Sequence, residues 1–132
     1  MEDKVLQEIL QVMLDNKAND LVYLNVSKVN PLAEYYVIAT ATSNRQALAL
    51  AKYVDDVLAK NEINVKHIEG NSSSEWILVD GVDYIIHIFV NDARTRYGLE
   101  KMWSDLDIYR VGWYYESIVN RCYGKWTSRF FK

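Results

Sequence analysis

Two carboxylates and an imidazole lie close together in the second half of the sequence. Asp80 and Asp83 flank the dipeptide Gly81-Val82, and His87 follows four residues after Asp83. Such a set can bind a metal ion or act as an acid and base in phosphate or nucleotide transfer. Aspartate is also a frequent turn residue, and a histidine in a strand is often a buried structural residue. The sequence therefore allows either a metal-dependent transferase or phosphohydrolase site or an ordinary hairpin.

The register of this hairpin decides which side chains meet. A two-residue loop would place Asp80 opposite Asp83 and Trp76 opposite His87. A three-residue loop would place Asp80 opposite Tyr84 and move Trp76 to the other face of the sheet, away from His87. Because a slip of one residue exchanges the faces of a strand, both registers stay open at this point.

Trp76 and Arg94 are candidates for a protein interface. Trp76 begins a strand directly after the polar loop 69–74, where a large aromatic residue is either core or an exposed anchor. Tryptophan and arginine are the residue types enriched at interface hot spots. Arg94 and Arg96 lie near the predicted start of the last helix, and solvated surface charge is their alternative role.

Composition limits the classes of protein that are compatible with this chain. It has 132 residues, a net charge of −3, one cysteine (Cys122) and two histidines. A disulfide framework, a cysteine-rich zinc site and a three-histidine metal site are therefore excluded. No apolar run approaches the roughly 20 residues that span a bilayer, and the opening MEDK is too acidic for a leader peptide. We expect a single folded domain in the cytoplasm, without a membrane partner.

Charge divides the chain into two parts. Residues 1–106 carry a balance of −6, whereas residues 107–132 carry +3 and eight aromatic side chains. This shift predicts an acidic domain over 1–106 and a basic, aromatic extension over 107–132, which we expect to be helical. Interleaved basic and aromatic residues are also typical of RNA-binding segments, so the extension is a candidate RNA-binding module.

The apolar patterns predict the element order α-β-β-α-β-β-β-α. Asp3 is the expected N-cap of the first helix, and Ser43 with Gln46 forms a capping box for the second. The segment 34–41 has apolar residues at both odd and even positions, as in a strand covered on both faces. Helical crossovers give parallel strand pairs and hairpins give antiparallel ones. We therefore expect an α/β fold in which helices sandwich a mixed sheet.

Several strings in the acidic part are similar to one family. In order and spacing, the chain resembles the ribosomal silencing factor family, also called Iojap-related, through the strings AEYYVIATATSNRQALALA, EG before a polar loop, EWILVD, DYIIHIF and ARTRYGLEKMW. The resemblance covers residues 1 to about 106.

The resemblance implies obstruction rather than catalysis. Members of that family have a nucleotidyltransferase-like α/β fold without its active site, so no enzymatic activity, cofactor or metal is expected. They bind the universal large-subunit ribosomal protein fourteen at the surface where the small subunit docks. Joining of the subunits is blocked, and translation falls when nutrients are scarce. An acidic domain suits a basic ribosomal protein because complementary potentials steer the encounter.

Carried over position by position, the resemblance points to five partner-binding residues: Trp76, Asp80, Asp83, His87 and Arg94. The chain departs from the family pattern at Ala41, where the family usually has Gly, at the hairpin and in the tail, and the hairpin departure bears on this site. The family usually has Gly-Asp before the last strand, where this chain has Gly81-Val82-Asp83. The tail after Asp107 has no counterpart in the pattern, and contact with ribosomal RNA, a homodimer partner or its own domain are its alternative roles.

Overall fold

The computed structural model describes residues 3–65, 67–71, 73–98, 106–111 and 123–126. Within these residues the chain forms three helices and seven strands. In chain order they are α1 (Lys4–Asp15), β1 (Asn19–Asn25), β2 (Tyr35–Ala41), α2 (Asn44–Lys60), β3 (His67–Glu69), β4 (Trp76–Gly81), β5 (Tyr84–Val90), α3 (Ala93–Tyr97), β6 (Ile108–Val111) and β7 (Tyr123–Trp126). The predicted order of the first eight elements is confirmed.

The strands form one mixed sheet in the order β3-β4-β5-β2-β1-β6-β7. At its centre β2 and β5 are parallel, with Tyr35 opposite Tyr84 and Ala41 opposite Val90. The pairs on either side, β4 with β5 and β1 with β2, are antiparallel. The central position of β2 explains why its sequence is apolar on both parities, and the predicted mixed sheet is confirmed.

Helices α1 and α2 cover one face of the sheet and build the larger core with it. The predicted cap of α2 forms, because the Ser43 hydroxyl accepts a hydrogen bond from the Gln46 amide at 3.1 Å. The Gln46 side chain accepts from the Thr42 amide at 2.7 Å and donates to the Lys17 carbonyl at 3.1 Å. The cap therefore also joins the start of α2 to the end of α1.

The predicted N-cap of α1 is confirmed and has a second role. Asp3 accepts a hydrogen bond from the Leu6 amide at 2.9 Å. Both oxygens of the same carboxylate lie 2.8 Å from the Tyr84 hydroxyl, which donates to them. One side chain thus begins α1 and fastens it to β5.

The opposite face of the sheet carries a smaller core, to which α3 contributes Ala93. Tyr36, Trp76 and Ile85 pack against this core and are only partly buried. Helices therefore lie on both faces, as predicted for the α/β fold, but the described residues cover the second face less completely.

The C-terminal segment corrects one expectation. Residues 108–111 and 123–126, which we expected to be helical, are strands, and β6 pairs antiparallel with β1. The reason is that β1 has a second edge whose backbone groups need partners. Ile108 and Val111 are buried on opposite faces of the sheet, which a strand at this edge permits. Of the third helix, the described part ends at Tyr97, and residues 99–105 lie outside the described residues.

Candidate functional site

The β4–β5 hairpin positions four of the five predicted site residues. Its loop is Val82-Asp83, with Gly81 opposite Tyr84, so that Asp80 faces Ile85 across the strands. Both predicted pairings of Asp80 are therefore wrong. Both predicted placements of Trp76 are wrong as well, because it lies opposite Phe89 rather than His87, but on the same face of the sheet as His87. The loop has two residues, as in the first alternative, but lies one residue further along the chain.

Two features of the hairpin explain this register. Gly81 is the last residue of β4, and a Cβ atom there would lie 2.8 Å from Cδ1 of Leu58 in α2. Glycine permits this close approach, so β4 continues one residue further than the sequence indicated. Val82 then adopts a φ of 71°, which is rare for a β-branched residue. Hairpin turns of type II′ have a positive φ at this loop position and favour glycine there.

Trp76 and His87 lie on the same face of the sheet and touch. The Trp76 Nε1–H donates a hydrogen bond to His87 Nδ1 at 3.2 Å. The indole stacks on Phe89, its partner across the strands, with ring centroids 5.0 Å apart. Trp76 itself is half-buried. Its inner side therefore belongs to the smaller core, and its outer side is accessible to a partner.

His87 is buried beneath the surface, with only 5% of the residue exposed. Because Nδ1 accepts the hydrogen bond from Trp76, the ring proton resides on Nε2. No hydrogen-bond partner reaches Nε2 from the residues that the structure describes. Burial lowers the pKa of His87 to about 4, so the ring is neutral at physiological pH. His87 therefore orients Trp76 and does not present a charge.

Tyrosines extend this pair on both sides. The Tyr36 ring in β2 meets the His87 ring at 5.1 Å in an edge-to-face arrangement. The Tyr97 ring, at the end of α3, lies 4.9 Å from the Trp76 ring. We call Tyr36, His87, Trp76 and Tyr97 the aromatic row. It crosses β2, β5 and β4 and ends at α3 as a continuous series of ring contacts, in which His87 is buried and Tyr36, Trp76 and Tyr97 reach the surface.

Asp80 and Asp83 lie at the other end of the hairpin. Asp80 Oδ1 accepts a hydrogen bond from the Val82 amide at 3.1 Å, as a turn aspartate does. Asp83 is exposed, and its carbonyl accepts from the Glu34 and Tyr35 amides at 2.9 Å each. In the part of the chain that the structure describes, no group of three or more His, Cys, Asp or Glu residues is arranged to hold a metal ion. The structure thus does not bring the two carboxylates and His87 together as a catalytic set.

Arg94 is buried, with 7% of the residue exposed. Its Nη1 donates to the Asp20 carbonyl at 2.5 Å and to the Thr40 hydroxyl at 3.1 Å. These bonds fasten α3 to β1 and β2. A second arginine, Arg96, pairs with Glu75 at 2.5 Å and fastens α3 beside the start of β4. Together they hold Tyr97 against Trp76.

Two residues of the row were harder to find from sequence. Tyr36 lies in a strand that is apolar on both parities, so alternation could not assign it to a face. Tyr97 follows Arg94 and Arg96 in a motif string, but nothing in that string indicates contact with Trp76.

A surface groove of about 650 Å³ lies on the opposite side of the molecule, lined by residues of α1 and by Val57. It is separate from the aromatic row.

Comparisons with known proteins agree on one family. The family model described as ribosomal silencing factor during starvation matches residues 1–119 of this chain. A ribosomal silencing factor of Bacillus subtilis is 35% identical over 106 residues, which span 80% of this chain and 90% of that protein. The chain therefore belongs to the ribosomal silencing factor family, whose members regulate translation at the ribosome.

More distant and structural similarities extend this result. The crystal structure of a protein from Chromobacterium violaceum aligns with a TM-score of 0.72 and 32% identity, covering 76% of this chain and 83% of that one. The mouse protein named mitochondrial assembly of ribosomal large subunit protein 1 is 27% identical over 100 residues, covering 73% of this chain and 43% of that protein. The names of the Bacillus subtilis and mouse relatives both refer to the ribosome.

Among the described helices, none has both the length and the hydropathy needed to cross a membrane.

Proposed function

We propose that this protein silences ribosomes by binding the large subunit through universal large-subunit ribosomal protein fourteen. In that position it occupies the surface at which the small subunit docks, so subunit joining is blocked and translation falls when nutrients are scarce. Family membership supports this role. The structural observation that carries it is the half-buried Trp76, oriented by a buried histidine within an accessible aromatic row.

The row has the organisation of a protein-binding surface. Interface hot spots combine a well-packed aromatic anchor with surrounding groups that exclude water. Trp76 rests on Phe89 and contacts Tyr97, which supplies such packing. Blocking requires only occupancy, and an interface of roughly 1,200–2,000 Å² in total is enough for a specific complex.

Each of the five predicted residues receives a role in this proposal. Trp76 is the anchor that contacts the partner, and His87 positions it from below. Asp80 and Asp83 contribute negative charge at the border of the surface, which attracts a basic ribosomal protein. Arg94 acts through α3 by holding Tyr97 in place. The proposed activity needs no catalytic step, cofactor or metal ion, and it takes place in the cytoplasm, where ribosomes join.

Binding and joining assays test the proposal directly. The purified protein is incubated with isolated large subunits at physiological salt and centrifuged, and joined ribosomes are then counted after small subunits are added. We expect co-sedimentation and a lower yield of joined ribosomes. Absence of binding would contradict the proposal. Titration calorimetry with magnesium, manganese and nucleotides tests the transferase alternative, for which we expect no heat of binding.

Trp76→Ala sharpens this test. We expect it to weaken large-subunit binding by about 2 kcal/mol or more, because it removes the central anchor of the surface. Trp76→Phe is the matched control, since it keeps a ring on Phe89 but removes the indole N–H, and it should retain more affinity. Unchanged affinity in a folded Trp76→Ala protein would mean that Trp76 serves only the core.

Two further partners are proposed for the basic segment 107–132 and for the row. Contact between the segment and ribosomal RNA is supported by its charge of +3. Replacing Arg121, Lys125, Arg129 and Lys132 with serine should then reduce the salt dependence of large-subunit binding. An unchanged salt dependence would reject this contact.

A homodimer would cover the row in the free protein, and a monomeric mass at all concentrations in analytical ultracentrifugation would reject it.

A further inference from the structure

The loop between β1 and β2 exposes two large apolar side chains. Leu32 is 82% exposed and Val29 is 55% exposed. Single exposed apolar residues are common on protein surfaces. The exposure of Leu32 is therefore informative only together with the shape and surroundings of its loop.

This loop is held in one conformation by its own hydrogen bonds. The Asn30 amide donates to the Val26 carbonyl at 2.8 Å, and the Asn30 side chain accepts from the Leu32 amide at 2.9 Å. Pro31 restricts the backbone directly before Leu32, and Ala33 is buried in the smaller core. A side chain presented by such a loop loses little conformational entropy when it binds.

The loop is continuous with the aromatic row. The Asn30 side-chain amide donates to the Tyr36 hydroxyl at 2.9 Å. The Tyr36 ring in turn contacts His87, which holds Trp76. An unbroken series of contacts thus runs from the loop that carries Leu32 to the proposed anchor.

Acidic side chains border the same region. The Glu34 amide donates to the Asp83 carbonyl at 2.9 Å, which brings two exposed acidic residues together where the central strands β2 and β5 begin. Asp80 lies on the other side of the Val82-Asp83 turn. Lys28 is the one basic residue of the β1–β2 loop and is exposed, so acidic residues outnumber basic ones at this border. Such a border fits a basic protein better than the phosphates of RNA.

We infer that the β1–β2 loop is part of the partner-binding surface and that Leu32 is a second apolar anchor for a basic protein of the large ribosomal subunit. This inference rests on the proposed function and extends its site beyond the residues of the family motifs. The partner would contact Trp76 and Leu32 together, with Tyr36 between them.

Variants of Leu32 test the inference in the full-length chain. Affinity for purified large subunits is measured for Leu32→Ala and Leu32→Asp. Because the interface would bury the apolar side chain of Leu32, we expect Leu32→Ala to bind about tenfold more weakly and Leu32→Asp to bind more weakly still. Tyr53→Ala is the matched control, since Tyr53 is 40% exposed on α2, on the other side of the sheet. It should bind like the wild type.

The outcomes separate this inference from the proposed function. If the wild type does not bind large subunits, the proposed function fails and the inference fails with it. If the wild type binds, Trp76→Ala weakens binding and both Leu32 variants bind normally, only the inference is overturned. A photo-crosslinker at position 32 identifies the neighbour. Linkage to a basic large-subunit protein supports the inference, and linkage to ribosomal RNA overturns it.

Discussion

The two faces of the sheet use their apolar residues differently. On the face covered by α1 and α2, the core is mainly aliphatic, with Leu50, Val54 and Ile86 inaccessible to solvent, and its aromatic members Tyr23 and Tyr84 are buried as well. On the other face, Trp76 and Tyr36 are only half-buried. The first arrangement favours stability. The second leaves aromatic area available to a partner, at the expense of area that could have been buried within the chain.

The two faces of the sheet also differ in the polar residues that they bury. The two polar residues buried among the described positions, His87 and Arg94, both lie on the less covered face. Arg94 is satisfied by Asp20 and Thr40, whereas His87 leaves Nε2 without a partner in the described part of the chain. His87 is at the same time the buried residue whose Nδ1 accepts the hydrogen bond from the Trp76 indole.

The largest expected effect separates stability from binding. Leu50→Ala removes a fully buried side chain on the inner face of α2 and should lower the free energy of unfolding by about 3 kcal/mol. Affinity of the folded protein for large subunits should not change, because Leu50 lies on the helix-covered face. Urea unfolding and co-sedimentation at low temperature measure the two quantities. A parallel loss of affinity in fully folded protein would contradict the separation of the faces.

The next effect is a pH dependence that originates on the less covered face. Burial lowers the pKa of His87 to about 4 in the native state, against about 6.5 in an unfolded chain. Between these two pH values the unfolded chain binds more protons than the native state does. The free energy of unfolding therefore keeps its full value above about pH 6.5 and decreases as the pH falls toward 4. Over this range we expect it to decrease by about 2 kcal/mol more in the wild type than in a His87→Asn variant. Urea unfolding at pH 7 and at pH 4.5 measures the difference.

Two variants at this position control for the hydrogen bond to Trp76. His87→Asn retains an acceptor near the Nδ1 position, and His87→Leu does not. Neither side chain titrates, so both should flatten the pH dependence relative to the wild type. At pH 7 the leucine variant should bind large subunits more weakly than the asparagine variant, because Trp76 is no longer oriented. Identical pH profiles for wild type and both variants would mean that the pKa of His87 is the same in the native and unfolded states.

Sequence patterns predicted the parts of the fold that depend on local interactions. Asp3 and Ser43 satisfy nearby backbone amides, so the starts of α1 and α2 could be identified from a few neighbouring residues. The mixed sheet followed from the alternation of helices and hairpins. The tail was mispredicted as helical because the free edge of β1, which determines the pairing of β6, lies more than 80 residues away in the chain.

The candidate site was predicted only in part, for a similar reason. One of the two predicted registers placed Trp76 on the same face as His87, but it paired them directly across the strands, whereas Trp76 lies opposite Phe89. The observed register depends on the close approach of Gly81 to Leu58. That contact joins residues of different elements and leaves no local signal. Leu32 was overlooked because its role depends on Asn30 and Tyr36 meeting in three dimensions.

The smallest effect concerns the turn that sets the register of the hairpin. Val82 has a φ of 71°, which glycine adopts without strain and valine does not. Val82→Gly should therefore raise the free energy of unfolding by about 1 kcal/mol, the relief of strain exceeding the greater flexibility of glycine in the unfolded chain. Val82→Ala is the matched control, since it keeps a Cβ atom and hence the strain, and it should give no stabilisation. If the register is set mainly by Gly81 and Leu58, affinity for large subunits stays unchanged in Val82→Gly. A stabilised variant with altered affinity would instead show that the strained turn shapes the surface around Trp76.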